Sequence, residues 1–187
     1  MTSAAALTNA QFSDALTDES LRVTRLLHGA IMTGPLLFLL VVLAVSFYQT
    51  GGLPPRPSDF ELLNILSTAH VVLFLVAVGL AQFLPGLLFA PDRVGEGTES
   101  ATADTLAARC VAQQRIANVV RLVPLEGTSL FGLAVCFMGV MNRAIQAEPW
   151  YWLNAVSTGL FLSYAWSIFP TRQNLVDWFD QRMHRTM

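Results

Sequence analysis

An all-α fold, a four-helix transmembrane bundle followed by an amphipathic C-terminal interfacial helix, is what this sequence predicts. Three observations predict it. Hydrophobic residues make up 53% of the 187 and charged ones only 13%, about half the charge of an ordinary soluble domain. The charges are also gathered into a few segments, leaving uncharged runs of roughly 20 residues, the length a helix needs to cross the hydrocarbon core. In lipid, helices satisfy their own backbone polar groups, so four such runs read as helices rather than strands.

The elements follow in order. Residues 1–25 form a cytoplasmic N-terminal segment whose weak pattern through Phe12 and Leu16 suits a solvated helix, a partly ordered tail or a membrane contact. The four spans are expected at 26–48, 63–89, 118–141 and 150–169. Between the first two lies a Gly/Pro-rich turn region containing Pro54, Pro55 and Pro57. An acidic connection from Pro91 to Ala108 leads into a helical approach to the third span. The short link 142–149 makes spans three and four antiparallel neighbours. After Pro170, Thr171 is placed to cap a last helix, 170–187, whose Leu175, Trp178, Phe179 and Met183 lie on one side and charges on the other.

Arginine distribution sets the orientation. With both termini cytoplasmic, nine arginines lie on or near the inner side, and only Arg56 and Arg143 lie outside. Trp150 and Trp152 mark the outer boundary, and Trp178 and Phe179 the inner one. All eleven basic residues are Arg, which suggests a GC-rich bacterial genome and so a bacterial inner membrane. The net charge of −2 offers no basic patch for nucleic acid. Cys110 and Cys136 make no disulfide framework, and the first residues lack the basic start of a signal peptide.

Topology converts residue number into depth. Glu126 falls about 5 Å to the cytoplasmic side of the midplane, and Thr33, Gln82 and Tyr164 fall about 5–10 Å below it. One polar residue from each span thus occupies one layer, where the four side chains can converge as an ion- or proton-binding group. Thr, Gln and Tyr are also ordinary interhelical glue. A lone acid, costing roughly 3 kcal/mol on insertion scales, needs a partner or a task. Pro124 withdraws a hydrogen bond from the carbonyl of Val120, just before Glu126.

A seam of small residues at Thr128, Gly132 and Cys136 allows close helix approach. It points away from the face of Glu126, which carries Leu122, Ser129, Leu133 and Phe137. His28 and His70 are separated by roughly 20 Å along the membrane normal, too far to share one haem. His70 instead suits a hydrogen bond across the bundle, with Asn154 at similar depth. No nucleotide, zinc-protease or serine-hydrolase signature occurs, so neither a catalytic residue, a metal nor a cofactor is expected.

The run Leu125-Glu-Gly-Thr-Ser-Leu-Phe-Gly-Leu-Ala-Val, continuing to Asn142, resembles the carboxylate-bearing helix of the rotary ATPase proteolipid, subunit c. The likeness covers one span. It implies that Glu126 corresponds to the ion-binding carboxylate of that family. The glycine-rich partner helix and the short polar loop of that family have no counterpart here.

Three readings follow. One is a small non-enzymatic membrane protein, a structural or accessory subunit of a larger inner-membrane complex, with lipid and other subunits or further copies of itself as partners. The second is a proteolipid-like protein handling protons or cations through Glu126. The third is a redox subunit sharing a cofactor with another chain.

Overall fold

Helix is the only regular structure among the described residues of the computed structural model, which are 8–49, 51, 54–88 and 102–183. The chain order is α1 (Asn9–Ala15), α2 (Asp18–Tyr48), α3 (Pro57–Leu88), α4 (Ala103–Met141), the short α5 (Ala144–Ala147), a 3-10 helix (Pro149–Ala155), α6 (Val156–Ser167) and α7 (Arg172–Met183). Phe89, most of the acidic connection and Arg185 lie outside the described residues. Three helices are long and apolar enough to cross a membrane, within Asp18–Tyr48, Pro57–Gly86 and Ala107–Met141. They point to a membrane protein.

The fourth expected span, 150–169, is not a single helix. Pro149 starts a 3-10 turn, and local side chains then occupy carbonyls that α-helical bonding would use. Asn154 Nδ2 donates to the Tyr151 carbonyl at 2.9 Å and Ser157 Oγ to the Asn154 carbonyl at 3.0 Å, a local competition that favours the tighter winding. α6 alone has 12 residues, about 18 Å at α-helical rise.

The chain divides into two compact units. The first comprises Met1–Gly29, Gln82–Arg121 and Ser167–Met187. Its core joins Phe12, Leu16, Leu21, Ala107, Cys110, Val111, Leu175 and Phe179. α1 is opened by a capping box in which Thr8 accepts from the Gln11 amide and Gln11 reaches back. That short helix packs on α7 through Phe12 and Phe179, stacked at 4.3 Å and 7°. Asn9 and Asp180 share a hydrogen bond of 2.9 Å, and Thr171 accepts from the Asn174 amide, as an N-cap does.

Phe179 therefore has a different setting from the lipid-facing one expected of it. It is fully buried in protein, as is Leu175 at 4% exposure. The physical reason is that α1 supplies an aromatic partner for the apolar face of α7. Trp178 is half-buried.

The second unit comprises Ala30–Ala81 and Leu122–Trp166, with Val42, Leu63, Val135, Cys136, Val140 and Tyr151 among its core residues. Contacts within it give the helix directions. Glu126 and Met141 of α4 meet Gly34 of α2 and Gln49, the residue after α2, so these two segments run parallel. Gly132 and Gly139 of α4 meet α3 at His70 and Leu63, which is antiparallel. The 149–167 segment meets α3 in parallel, Tyr151 at Asn64 and Ser157 at His70. It meets α4 antiparallel, Tyr151 at Cys136 and Thr158 at Ser129. Directions alternate along the chain.

Candidate functional site

In the second unit α2 and α3 each offer a narrow buried stripe, whereas α4 is buried on more than one face. On α3, Leu63, Ser67, His70, Ala77 and Ala81 are buried while Val71, Val72, Leu75 and Val76 are exposed, the three–four spacing of a packed helix face. Two polar residues of that stripe meet polar residues of the 149–167 segment. His70 Nδ1 lies 2.9 Å from Asn154 Oδ1, and Nε2 lies 3.1 Å from Ser157 Oγ. Asn154 Nδ2 donates to Ser67 Oγ at 2.9 Å. One turn away, the Tyr151 hydroxyl donates to Asn64 Oδ1 at 2.9 Å. His70, Asn154, Ser67 and Ser157 are all buried.

The tautomer follows from the geometry. A carbonyl oxygen only accepts, so the Tyr151 carbonyl fixes the amide of Asn154 with Nδ2 toward it. Oδ1 then faces His70, and Nδ1 of His70 carries the hydrogen. Both ring nitrogens have a neighbour within the chain: Nδ1 donates to Asn154 Oδ1, and Nε2 faces Ser157 Oγ, whose single hydrogen is shared between Nε2 and the Asn154 carbonyl. His28 packs edge-on against Phe169, with ring centroids 5.3 Å apart.

The small-residue seam of α4 lies under this network. A Cβ on Gly132 would come 2.6 Å from His70 Nε2, and it would also meet the Asn154 carbonyl oxygen. Cys136 Sγ is 3.5 Å from the Tyr151 carbonyl, and the Thr128 hydroxyl donates to the carbonyl of Leu125 at 3.0 Å. The other face is buried as well: Leu122, Ser129 and Leu133 are all at 0% exposure. Ser129 Oγ donates to Thr158 Oγ1 at 2.8 Å, so that hydroxyl is a packing bond between buried partners.

Glu126 stands at the edge of these packed faces. Its neighbours Val123 and Gly127 are exposed, and Glu126 itself is half-buried. Its Oε1 lies over Gly34 of α2, where an added Cβ would be 3.4 Å away. No hydrogen bond or ion pair engages the carboxylate among the described residues.

The other members of the expected polar layer sit differently. Thr33 and Gln82 are exposed, and Tyr164 is half-buried. These residues share a depth, and depth says nothing of rotation about a helix axis. Thr33 is two residues from both Ile31 and Pro35, the buried stripe of α2, and so about 160° around the helix from each. Gln82 follows the buried Ala81 by one residue, about 100° away. The side chains that do converge are Asn64, Ser67 and His70 with Tyr151, Asn154 and Ser157. Their signal in the sequence is polar residues three apart on two otherwise apolar segments.

Trp150 is exposed and its Nε1 donates to Glu148 at 2.8 Å; Trp152 is half-buried. Among the described residues, no three His, Cys, Asp or Glu side chains gather as metal ligands. No family model, characterised protein or solved structure matches this chain.

Proposed function

We propose that this chain is a four-span, non-enzymatic protein of a bacterial inner membrane, with both termini cytoplasmic, serving as a subunit of a larger membrane assembly. The fourth crossing in this reading is the 3-10 helix and α6 together, about 32 Å long at their respective rises. Its alternating direction and its polar contacts with α3 support that.

One observation carries the subunit reading: the Glu126 carboxylate, half-buried on a spanning helix, has no partner among the described residues. An acid at membrane depth is either protonated or paired, and its position at a helix margin leaves it reachable by a donor on another chain. The same accessibility supports a second reading, in which Glu126 takes up a proton or cation, as its resemblance to the proteolipid carboxylate suggests.

Gentle solubilisation and mass-spectrometric identification of co-purifying chains separates the two. A docking role requires Glu126→Leu to lose a partner chain that Glu126→Gln, which still hydrogen-bonds, retains. A proton-handling role requires labelling of Glu126 by dicyclohexylcarbodiimide and loss of the assembly's activity in Glu126→Gln. A chain that purifies alone, stable and monomeric from native membranes, would remove the subunit reading.

A further inference from the structure

A second site, unrelated to Glu126, lies in the first unit. A cleft of about 330 Å3 opens between α4 and α7, at the lower end of the range for small-molecule sites, about 300–1,000 Å3. Gln114, Asn118 and Arg121 line it from α4, and Asp177, Trp178 and Gln181 from α7. Its walls are thus rich in amides and carry one charge of each sign.

Two of those groups are incompletely satisfied. Gln114 is 2% exposed, and its Nε2 donates to the Leu175 carbonyl, 3.5 Å away, which fixes the amide orientation. Its Oε1 is buried with no donor. Arg121 is half-buried, its Nε is buried without an acceptor, and no carboxylate or carbonyl engages its guanidinium among the described residues. Arg115, the other half-buried arginine of α4, is by contrast bonded to Ser20 and Thr24. Unmet buried donors and acceptors are costly, and both side chains belong to residues that line the cleft.

We propose that this cleft binds a zwitterionic amino-phosphate headgroup, of the phosphoethanolamine type. The phosphate sits on the Arg121 guanidinium, whose planar fork suits phosphate oxygens. The primary ammonium meets the Asp177 carboxylate, one oxygen of which already accepts from Gln173, with the Asn118 and Gln181 amides lining the same cleft. Trp178 covers the apolar methylenes between the two charges. Asn118 and Arg121 stand at the start of the 118–141 apolar window, the level at which lipid headgroups lie. The chemistry of the cleft stands apart from the four-span reading; only a lipid as the source of the headgroup rests on it.

Full-length protein, purified and delipidated in a non-ionic detergent, tests the site by native mass spectrometry with added lipids. Phosphatidylethanolamine should bind roughly tenfold tighter than phosphatidylcholine, whose methylated ammonium has no hydrogen to donate, or phosphatidylglycerol, which has no ammonium. Arg121→Gln should weaken all three lipids. Asp177→Asn should narrow the ethanolamine-to-choline ratio while phosphate binding persists. Both residues are incompletely buried, and near-UV circular dichroism checks that each variant is folded. Competition by soluble glycerophosphoethanolamine at equal concentration supports the site and assigns it to a free ligand. No competition, with the lipid retained, assigns it to the bilayer. Equal binding of the three lipids, or a folded Arg121→Gln protein that binds as the wild type does, would overturn the proposal.

Discussion

Replacing Gly132 by Ala is the sharpest perturbation of the buried network, because one methyl group meets two partners at once. The new Cβ would stand 2.6 Å from His70 Nε2 and 2.8 Å from Cε1, and it would press on the Asn154 carbonyl. Ordinary carbon contacts are about 3.5–4.0 Å, so something must move by roughly 1 Å. The imidazole is held at both nitrogens and the carbonyl is backbone, which leaves no flexible end to yield. Overpacking of this kind costs about 1–3 kcal/mol. Displacing the ring also weakens its two hydrogen bonds, each about 0.6 kcal/mol by the average for membrane proteins. Alanine returns up to about 1 kcal/mol in helix propensity, so a net loss of about 1–3 kcal/mol is expected. Gly127, five residues earlier on the same helix, has nothing within 4 Å of an added Cβ. Gly127→Ala should therefore be neutral or slightly stabilising. Thermal unfolding of both variants in the same micelle, read by near-UV circular dichroism, makes the comparison. Equal midpoints for the two would refute the close approach of α4 to His70, whatever the absolute values.

Other variants test separate contacts. Ser129→Ala should destabilise by roughly 1 kcal/mol, because the buried Thr158 hydroxyl loses a partner. The double variant Ser129→Ala/Thr158→Val should cost less than the two singles together, as a double-mutant cycle in denaturant would show. Phe179→Ala removes the ring stacked on Phe12 and should cost about 3–5 kcal/mol. In a Cys136→Ala background it should also speed labelling of Cys110, which is 3% exposed in that core. Thr171→Ala should cost about 1 kcal/mol as a lost N-cap, read as faster hydrogen exchange at the first turn of α7.

Much of the helical architecture was open to a reading of composition and depth. Long uncharged runs mark α2, α3 and α4, and the cap at Thr171 follows from a proline and a hydroxyl residue in the right order. The pairing of His70 with Asn154 was also accessible, since two polar groups at one depth on apolar segments have few other partners. The rest depended on rotation and on neighbours. Thr33 and Gln82 share a depth with Glu126, yet the buried stripes of α2 and α3 turn both outward. Phe179 looked like a membrane contact because its partner, Phe12, lies on a short helix with a weak apolar pattern of its own. The 3-10 winding of Pro149–Ala155 was hidden because apolar length alone does not distinguish it from an α-helical span.

That winding has a consequence for what the chain tolerates. Asn64 with Tyr151, Ser67 with Asn154 and His70 with Ser157 each pair at a separation of 87 residues. Equal steps along two parallel segments make a register, and a register is sensitive to chain length in a way it is not to composition. Conservative exchanges at Trp152, Leu153 or Val156 leave every pair in place. Deleting Trp152 or Leu153 swings Tyr151 about 120° away from Asn64, at three residues per turn, while Ser157 stays on His70. The 151–157 stretch therefore accepts new side chains far more readily than a change in their number.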